Sequence, residues 1–327
     1  MIVTGDGLFE PQEVRAMSLE MVAERRVARE AARRKVWIAI KKDLTGYAFV
    51  SLWLIGFLVF TLFPFAASLY LSGTDYNIAS PPVWVGLKNF RWMSLEDRFF
   101  RLSLGVTLKY ALMTVPAGMV QGVLIALLLN QAIRGIAFFR TVFYIPAMIS
   151  SVGWILVWTF MLGKSGGVNW ALAQIGIEGP SYLNTTTWAL PSMAIMALFR
   201  VGGSMLIVLA ALQGVPQHLY EAVDIDGGGE WAKFWHVTIP QISPAIFYNL
   251  VLSVIGVLQS WMSAFIMTEG GPRHATLFYG LYLYRNAFEY FKMGYACALG
   301  WVAFVIVLAL TGLNFLGARF WVYYEGG

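Results

Sequence analysis

The sequence predicts an all-α, polytopic membrane protein with six transmembrane helices. Of 327 residues, 58% are hydrophobic and only 13% charged, and the mean hydropathy is +0.65. Soluble globular chains carry roughly a quarter charged residues. The apolar residues fall into six runs, near 47–72, 105–130, 137–162, 187–213, 246–268 and 293–318. Each is close to the ~20 helical residues needed to cross a hydrocarbon core.

The net charge of +5 gathers before the first run, in "ERRVAREAARRKVWIAIKK" at 24–42. That position marks the inner side of the membrane and excludes a nucleic-acid patch. Residues 1–46 are therefore expected as a basic cytoplasmic segment ahead of a membrane domain at 47–319. Residues 18–42 form either a solvated positive-inside flag, the plainer reading, or a helix on anionic inner-leaflet lipid. The segment is not a cleavable signal: its basic region is long and of mixed charge, and the apolar run after it is too long. Six crossings from an inside start place residue 130 inside, 162 outside, 213 inside and 268 outside, with Arg319 and a tail at 320–327 inside. Both termini are then cytoplasmic.

The outer segments, 73–104, 163–186 and 269–292, are rich in Gly, Pro, Asn and aromatic residues. They read as turns, short interfacial helices and aromatic anchors. The segment "EGGPRHATLFYGLYLY" adds Arg273 and His274 to a Gly-Gly-Pro turn. A single cysteine, Cys297, permits no disulfide, and three scattered histidines offer no metal-ligand spacing.

The inner segment between the fourth and fifth runs departs from this pattern. Pro216 suits a helix start, and "PQHLYEAVDID" runs on as helix until Gly227, Gly228 and Gly229 stop it. A second arm, "EWAKFWHV", begins at a new angle, and Pro240 and Pro244 mark the turn into the fifth span. Glu221, Asp224 and Asp226 make the first arm acidic on a face where lipid is anionic, so it points toward a basic protein partner. Ala222 keeps it thin. Trp231, Phe234 and Trp235 give the second arm an apolar stripe. Side-chain chemistry alone equally allows a loop whose aromatics dip into the interface.

"EAVDIDGGGEWAKFWHVTIPQISP" resembles the signature loop of inner-membrane permeases of binding-protein-dependent ABC importers: Glu-Ala-Ala, three residues, Gly, and an Ile-x-Leu-Pro end. Glu221, Ala222, Asp226, Gly227, Phe234, Pro240 and Pro244 match. Val223 stands for the third small residue, Gly228 for Ala, Val237 for Ile and Ile239 for Leu. "VGLKNF", "ALLLNQAIRGIAFFRTVFYIPAMISSVGWILVW" and "TEGGPRHATLFYGLYLYRNAFEYFKMGYACALGW" extend the similarity over about 47–318. Together they resemble the first partner of the permease heterodimer in carbohydrate importers of the maltose and glycerol-3-phosphate kind.

The resemblance implies a type I ABC importer permease fold in a bacterial or archaeal cytoplasmic membrane. It further implies a second homologous permease, a cytoplasmic ATP-binding subunit dimer holding ATP and Mg, and an extracellular or periplasmic solute-binding protein. The hairpin 216–245 would couple to the ATPase through Glu221, Ala222, Asp224, Asp226, Gly227, Gly228 and Pro240. The chain itself is then a transport subunit, not an enzyme, with no cofactor of its own; it contains no Gly-x-x-x-x-Gly-Lys-Ser/Thr run.

A sugar path needs rings for C–H faces and amides or hydroxyls for the rims. Gln259, Ser260, Trp261, Ser263 and Phe265 of the fifth span are candidates, with Asn249 and Tyr248 nearer the cytoplasm. Arg200, near the middle of the fourth run, either lines the path or satisfies backbone carbonyls loosened by Gly202 and Gly203. An importer of peptide or polyamine would share this architecture. An ion-coupled secondary transporter is disfavoured, since no Asp or Glu lies within the six runs. No catalytic constellation suggests an intramembrane enzyme.

The six-span count is tested by sided labelling. In a Cys297→Ala background, Asp226→Cys should react with a membrane-impermeant maleimide in inverted vesicles and stay unlabelled in intact cells; labelling from outside would remove this topology.

Overall fold

Apolar runs in lipid fold as helices because the backbone finds no water there and must pair with itself. The computed structural model describes residues 34–37, 40–41 and 46–323. Its contacts divide the chain into a unit Met1–Ser68 and a unit Leu69–Gly327. The leaflet helix considered for 18–42 and the end of the tail 320–327 lie mostly outside the described residues. Helix α1 (Gly46–Ser72) begins in the first unit, with a wide π turn at Leu58–Leu62. Its large apolar side chains from Phe49 to Phe65 stay exposed, as a lipid-facing helix requires.

The second unit opens with a two-stranded antiparallel ribbon, β1 (Thr74–Asp75) on β2 (Val83–Trp84), and helix α2 (Lys88–Leu95). The 32-residue α3 (Arg98–Leu129) follows, about 48 Å long at 1.5 Å per residue. Beyond it lie α4 (Ile136–Met148), α5 (Ser151–Met161), the short α6 (Gly167–Gln174), α7 (Ala189–Leu198) and α8 (Gly202–Gln213). The hairpin arm α9 (Gln217–Ile225) leads to α10 (Glu230–Leu258). The chain closes with α11 (Met262–Thr268), α12 (Tyr279–Tyr284) and α13 (Met293–Ala318).

Among the described residues four of these helices are long and apolar enough to cross a membrane, and the number reaches six when each of two bent pairs is counted as one span. The third apolar run, expected as one span, folds as two helices, α4 and α5, meeting at 98°. Its break falls where Ile149 turns extended and the Ser150 hydroxyl accepts from the Gly153 amide, an N-cap inside the apolar run. The fourth, α7 and α8, bends by 41°.

The fifth span corrects the sequence reading twice. Pro240 and Pro244 do not turn the chain; both lie within α10, which runs on unbroken from the hairpin's second arm. A π turn at Phe234–Thr238, closed by the Ile239 amide on the Phe234 carbonyl, widens the helix just before Pro240. The widened turn makes room for a ring that would otherwise strike the preceding turn. At its far end the span breaks at Gln259–Trp261 before α11 resumes, so 246–268 is not one helix.

Two apolar clusters hold the second unit together. One gathers Met193, Phe278, Leu281 and Leu299 from α7, α12, its preceding loop and α13. The other joins Ala126, Met205, Val208 and Ile242 from α3, α8 and α10. Beside the first cluster sits a buried carboxylate the sequence reading missed. Asp97 caps α3, one oxygen accepting from the amides of Phe99 and Phe100 at 2.8 and 3.1 Å. The other accepts from the phenols of Tyr282, at 2.7 Å, and Tyr295. Burial and then the bond to Asp97 push the Tyr282 phenol above its usual range, so it remains a donor.

Hydrogen bonds to a charged group contribute about 1.5–3 kcal/mol each. Asp97→Asn replaces one acceptor oxygen by a donor, and should lower stability by at least that amount, read as the thermal unfolding midpoint in detergent. Tyr282→Phe should cost less, and an Asp97→Asn protein as stable as the parent would show that the cap is dispensable.

Candidate functional site

The candidate coupling residues meet at one turn. Helix α9 ends at Ile225, and Gly227 adopts φ +76°, a left-handed conformation that suits glycine. The Gly228 amide donates to the Val223 carbonyl at 2.8 Å and the Gly227 amide to the Asp224 carbonyl at 3.1 Å, the paired bonds of a Schellman stop. Leu219, Tyr220 and Val223 turn inward, and the Tyr220 phenol pairs with the Thr238 hydroxyl at 3.1 Å. The opposite face, with Glu221, Ala222, Asp224, Ile225 and Asp226, is exposed.

Two features modify the acidic peg. Lys233 bridges Asp224 at 2.8 Å and Glu230 at 2.9 Å, tying the arms together and using one of the three acids internally. Exposed pairs of this kind add little stability, so the bridge mainly orients. Ile225 is 86% exposed at the tip, an apolar contact the sequence reading overlooked although it follows Glu221 by one helical turn. The tip therefore presents Glu221, Ile225 and Asp226 around the small Ala222. Pro240 is remote from this tip, on the helix behind the π turn.

The second arm's stripe is present, with Trp231 and Trp235 largely exposed. With Phe234 they face Val120, Leu124 and Leu127 of α3 across an apolar cleft of about 700 Å³.

A second cavity, about 330 Å³, lies among α3, α7, α8 and α10. Its polar lining comes from Tyr110, Thr114, Gln121, Arg200, Ser204, Asn249, Ser253 and Ser260. Of the candidate path residues, Arg200, Asn249 and Ser260 are brought together here. Asn249 is buried and donates to the Ser204 carbonyl at 3.1 Å, joining α10 to α8. Gln259 is exposed, and Ser263 is buried. Trp261 is stacked on Tyr284 at 4.7 Å and lies 5.9 Å from Phe265, so these rings already face one another. Thr114, Gln121 and Ser253 were not singled out from the sequence; lone polar residues in apolar runs show no face until the helices are packed.

Arg200 sits at the bend between α7 and α8. It donates to the Ser151 hydroxyl at 3.2 Å and to the carbonyls of Ala147 and Ile149 at 3.4 and 3.2 Å. These oxygens belong to the break between α4 and α5, not to the backbone around Gly202. Gly202 instead allows close approach: a Cβ there would lie 3.1 Å from the Phe143 carbonyl oxygen. Arg200 thus does two things at once, satisfying a broken helix and lining the cavity.

A chain of broken and continuous apolar helices around a polar cavity, with an exposed helical hairpin on one connection, is a multi-pass membrane transport subunit. Residues 115–325 match the family described as the inner membrane component of binding-protein-dependent transport systems, and the chain belongs to that family. It is 41% identical over 293 residues, 88% of this chain and 94% of the other, to the probable ABC transporter permease protein YesP of Bacillus subtilis (strain 168). It is 32% identical to the lactose transport system permease protein LacF of Rhizobium radiobacter, covering 85% and 95%. In fold it is similar to a chain of a bacterial alginate ABC transporter solved in complex with an alginate pentasaccharide-bound periplasmic protein. The TM-score there is 0.76 at 23% identity, covering 86% and 96%.

The departures at 223 and 228 are linked in space. A Cβ at Gly228 would lie 2.5 Å from Val223 Cγ1 and 3.1 Å from its carbonyl oxygen. The larger residue at 223 fills what a methyl at 228 would need. Gly228→Ala should loosen the hairpin by about 1–3 kcal/mol, the usual cost of overpacking, and Val223→Ala should restore it. Limited proteolysis in detergent measures this; a double variant as labile as Gly228→Ala alone would defeat the size exchange.

Proposed function

We propose that this chain is the permease subunit of an ABC importer for a sugar or oligosaccharide, forming the translocation path with a second homologous permease. The observation that carries this reading is the continuity of α10. The exposed tip of α9 is braced by Lys233 and the Schellman stop onto a helix that runs unbroken to Asn249 and Ser253 in the cavity wall. A push on the tip crosses one glycine turn, bridged by Lys233, and then runs along a single helix to the cavity wall.

In this reading both termini are cytoplasmic, and the hairpin docks on a separate ATP-binding subunit dimer that holds ATP and Mg. A solute-binding protein delivers solute on the opposite face, and lipid surrounds the exposed apolar side chains. Glu221, Ala222, Ile225 and Asp226 make the contact, while Asp224, Gly227 and Gly228 shape it. Carbohydrate as the solute class is supported by the relatives' names, lactose and sulfoquinovosyl glycerol among them. The cavity agrees, being rimmed with hydroxyls and amides and falling in the ~300–1,000 Å³ range of small-molecule sites.

Glu221→Lys reverses a tip charge, and Gly227→Pro forbids the φ of +76°. In proteoliposomes with the full set of partners, each should lower solute-stimulated ATP hydrolysis about tenfold or more, corresponding to loss of ~1.4 kcal/mol or more. Both should leave membrane insertion intact. Unchanged stimulation in both variants would remove the hairpin from the coupling role.

A further inference from the structure

The cavity wall is chemically lopsided. Among the described residues that line it, Arg200 is the one charged side chain and none is a carboxylate. Guanidinium stays protonated at any physiological pH. Its three bonds all go to neutral oxygens, one serine hydroxyl and two carbonyls. None of the ion pairs among the described residues involves it. The carbonyl end of α4 offsets roughly half a unit charge, as a helix C-terminus does, and leaves the remainder facing the cavity. In the same cavity the buried side-chain oxygen of Gln121, on α3, has no partner among the described residues. The cavity therefore presents a surplus positive charge from the α7–α8 bend and, from α3, an acceptor awaiting a donor.

From this pairing we infer that the solute is an anionic carbohydrate, a sugar or oligosaccharide bearing a carboxylate, with the carboxylate meeting Arg200 and a hydroxyl donating to Gln121. The inference rests on the cavity being the translocation path. It excludes a polyamine, which the same charge repels. A neutral sugar would leave the guanidinium without a counter-charge among the described lining residues. A carboxylate also suits the planar donor geometry that Arg offers and Lys does not.

The test uses the assembled transporter in lipid nanodiscs, with its second permease and ATP-binding subunits, and two probes of matched shape, digalacturonate and its dimethyl ester. Calorimetry should find the acid bound at least about tenfold tighter than the ester, as expected for a bond to a charged group. Arg200→Gln should abolish the preference for the acid over the ester, whatever it does to their common affinity; Arg200→Lys should recover part of the preference. A preference that survives Arg200→Gln, or the absence of measurable binding by either probe, overturns the proposal. Equal affinities for the two probes, both reduced by Gln121→Ala, overturn the anion while keeping the path. Equal affinities unmoved by either Gln121→Ala or Arg200→Gln overturn the path reading itself.

Discussion

A backbone group that loses its helical partner inside hydrocarbon must find another within the protein, and the second unit is arranged around that demand. At several breaks and crossings a side chain closes the gap. Arg200 takes the carbonyls at the break between α4 and α5. Thr107 of α3 accepts from the Tyr279 amide at 2.8 Å, where α12 begins. Asn249 takes the Ser204 carbonyl. Asp97 takes the first free amides of α3. An unsatisfied buried group costs about 1–3 kcal/mol, so each of these side chains fixes a joint. The polar cavity lies beside two such joints because the atoms that mend a helix also leave polar surface facing inward.

The same constraint sets which parts are stiff. Helix α10 runs from the hairpin to the cavity as one continuous helix, and its π turn accommodates Pro240 without a break. By contrast α4 with α5, and α7 with α8, are hinged at 98° and 41°. Arg200, on one hinge, holds the other, so the two bends are coupled through one guanidinium. In the proposed mechanism α10 delivers displacement and the hinged pairs give way to it. A chain of six straight helices would lack the second property.

Legibility in the sequence followed the range of the interactions. The hairpin was readable because its determinants are local: acids within one turn, three consecutive glycines, a proline at the start. The six apolar runs were readable because hydrophobic length is additive. The breaks were not, because Ser150 and Gln259 sit in runs whose average hydropathy is unaffected by one polar residue. Pro240 and Pro244 misled for the opposite reason, since proline signals a turn unless a wide helical turn accommodates it, and that depends on the backbone. Asp97 was invisible as a hub: its partners Tyr282 and Tyr295 lie 185 and 198 residues away. The cavity lining was half legible, through Arg200, Asn249 and Ser260, while Gln121 and Thr114 could be placed only once α3 was packed.

Composition also overstated the acidity of the hairpin. Three acids in six residues suggested a peg held by charge, but Lys233 returns from the second arm to neutralise part of it, leaving Glu221 and Asp226 to flank an exposed isoleucine. Exposed charge is screened within about 8 Å at physiological salt, whereas apolar burial is not. A tip built this way can use its acids to orient approach and Ile225 to hold on arrival. In the proposed docking, the Schellman stop matters for more than ending a helix: it restrains the angle between the arms, so the tip would be shaped before a partner arrives and less ordering entropy would be spent when it does.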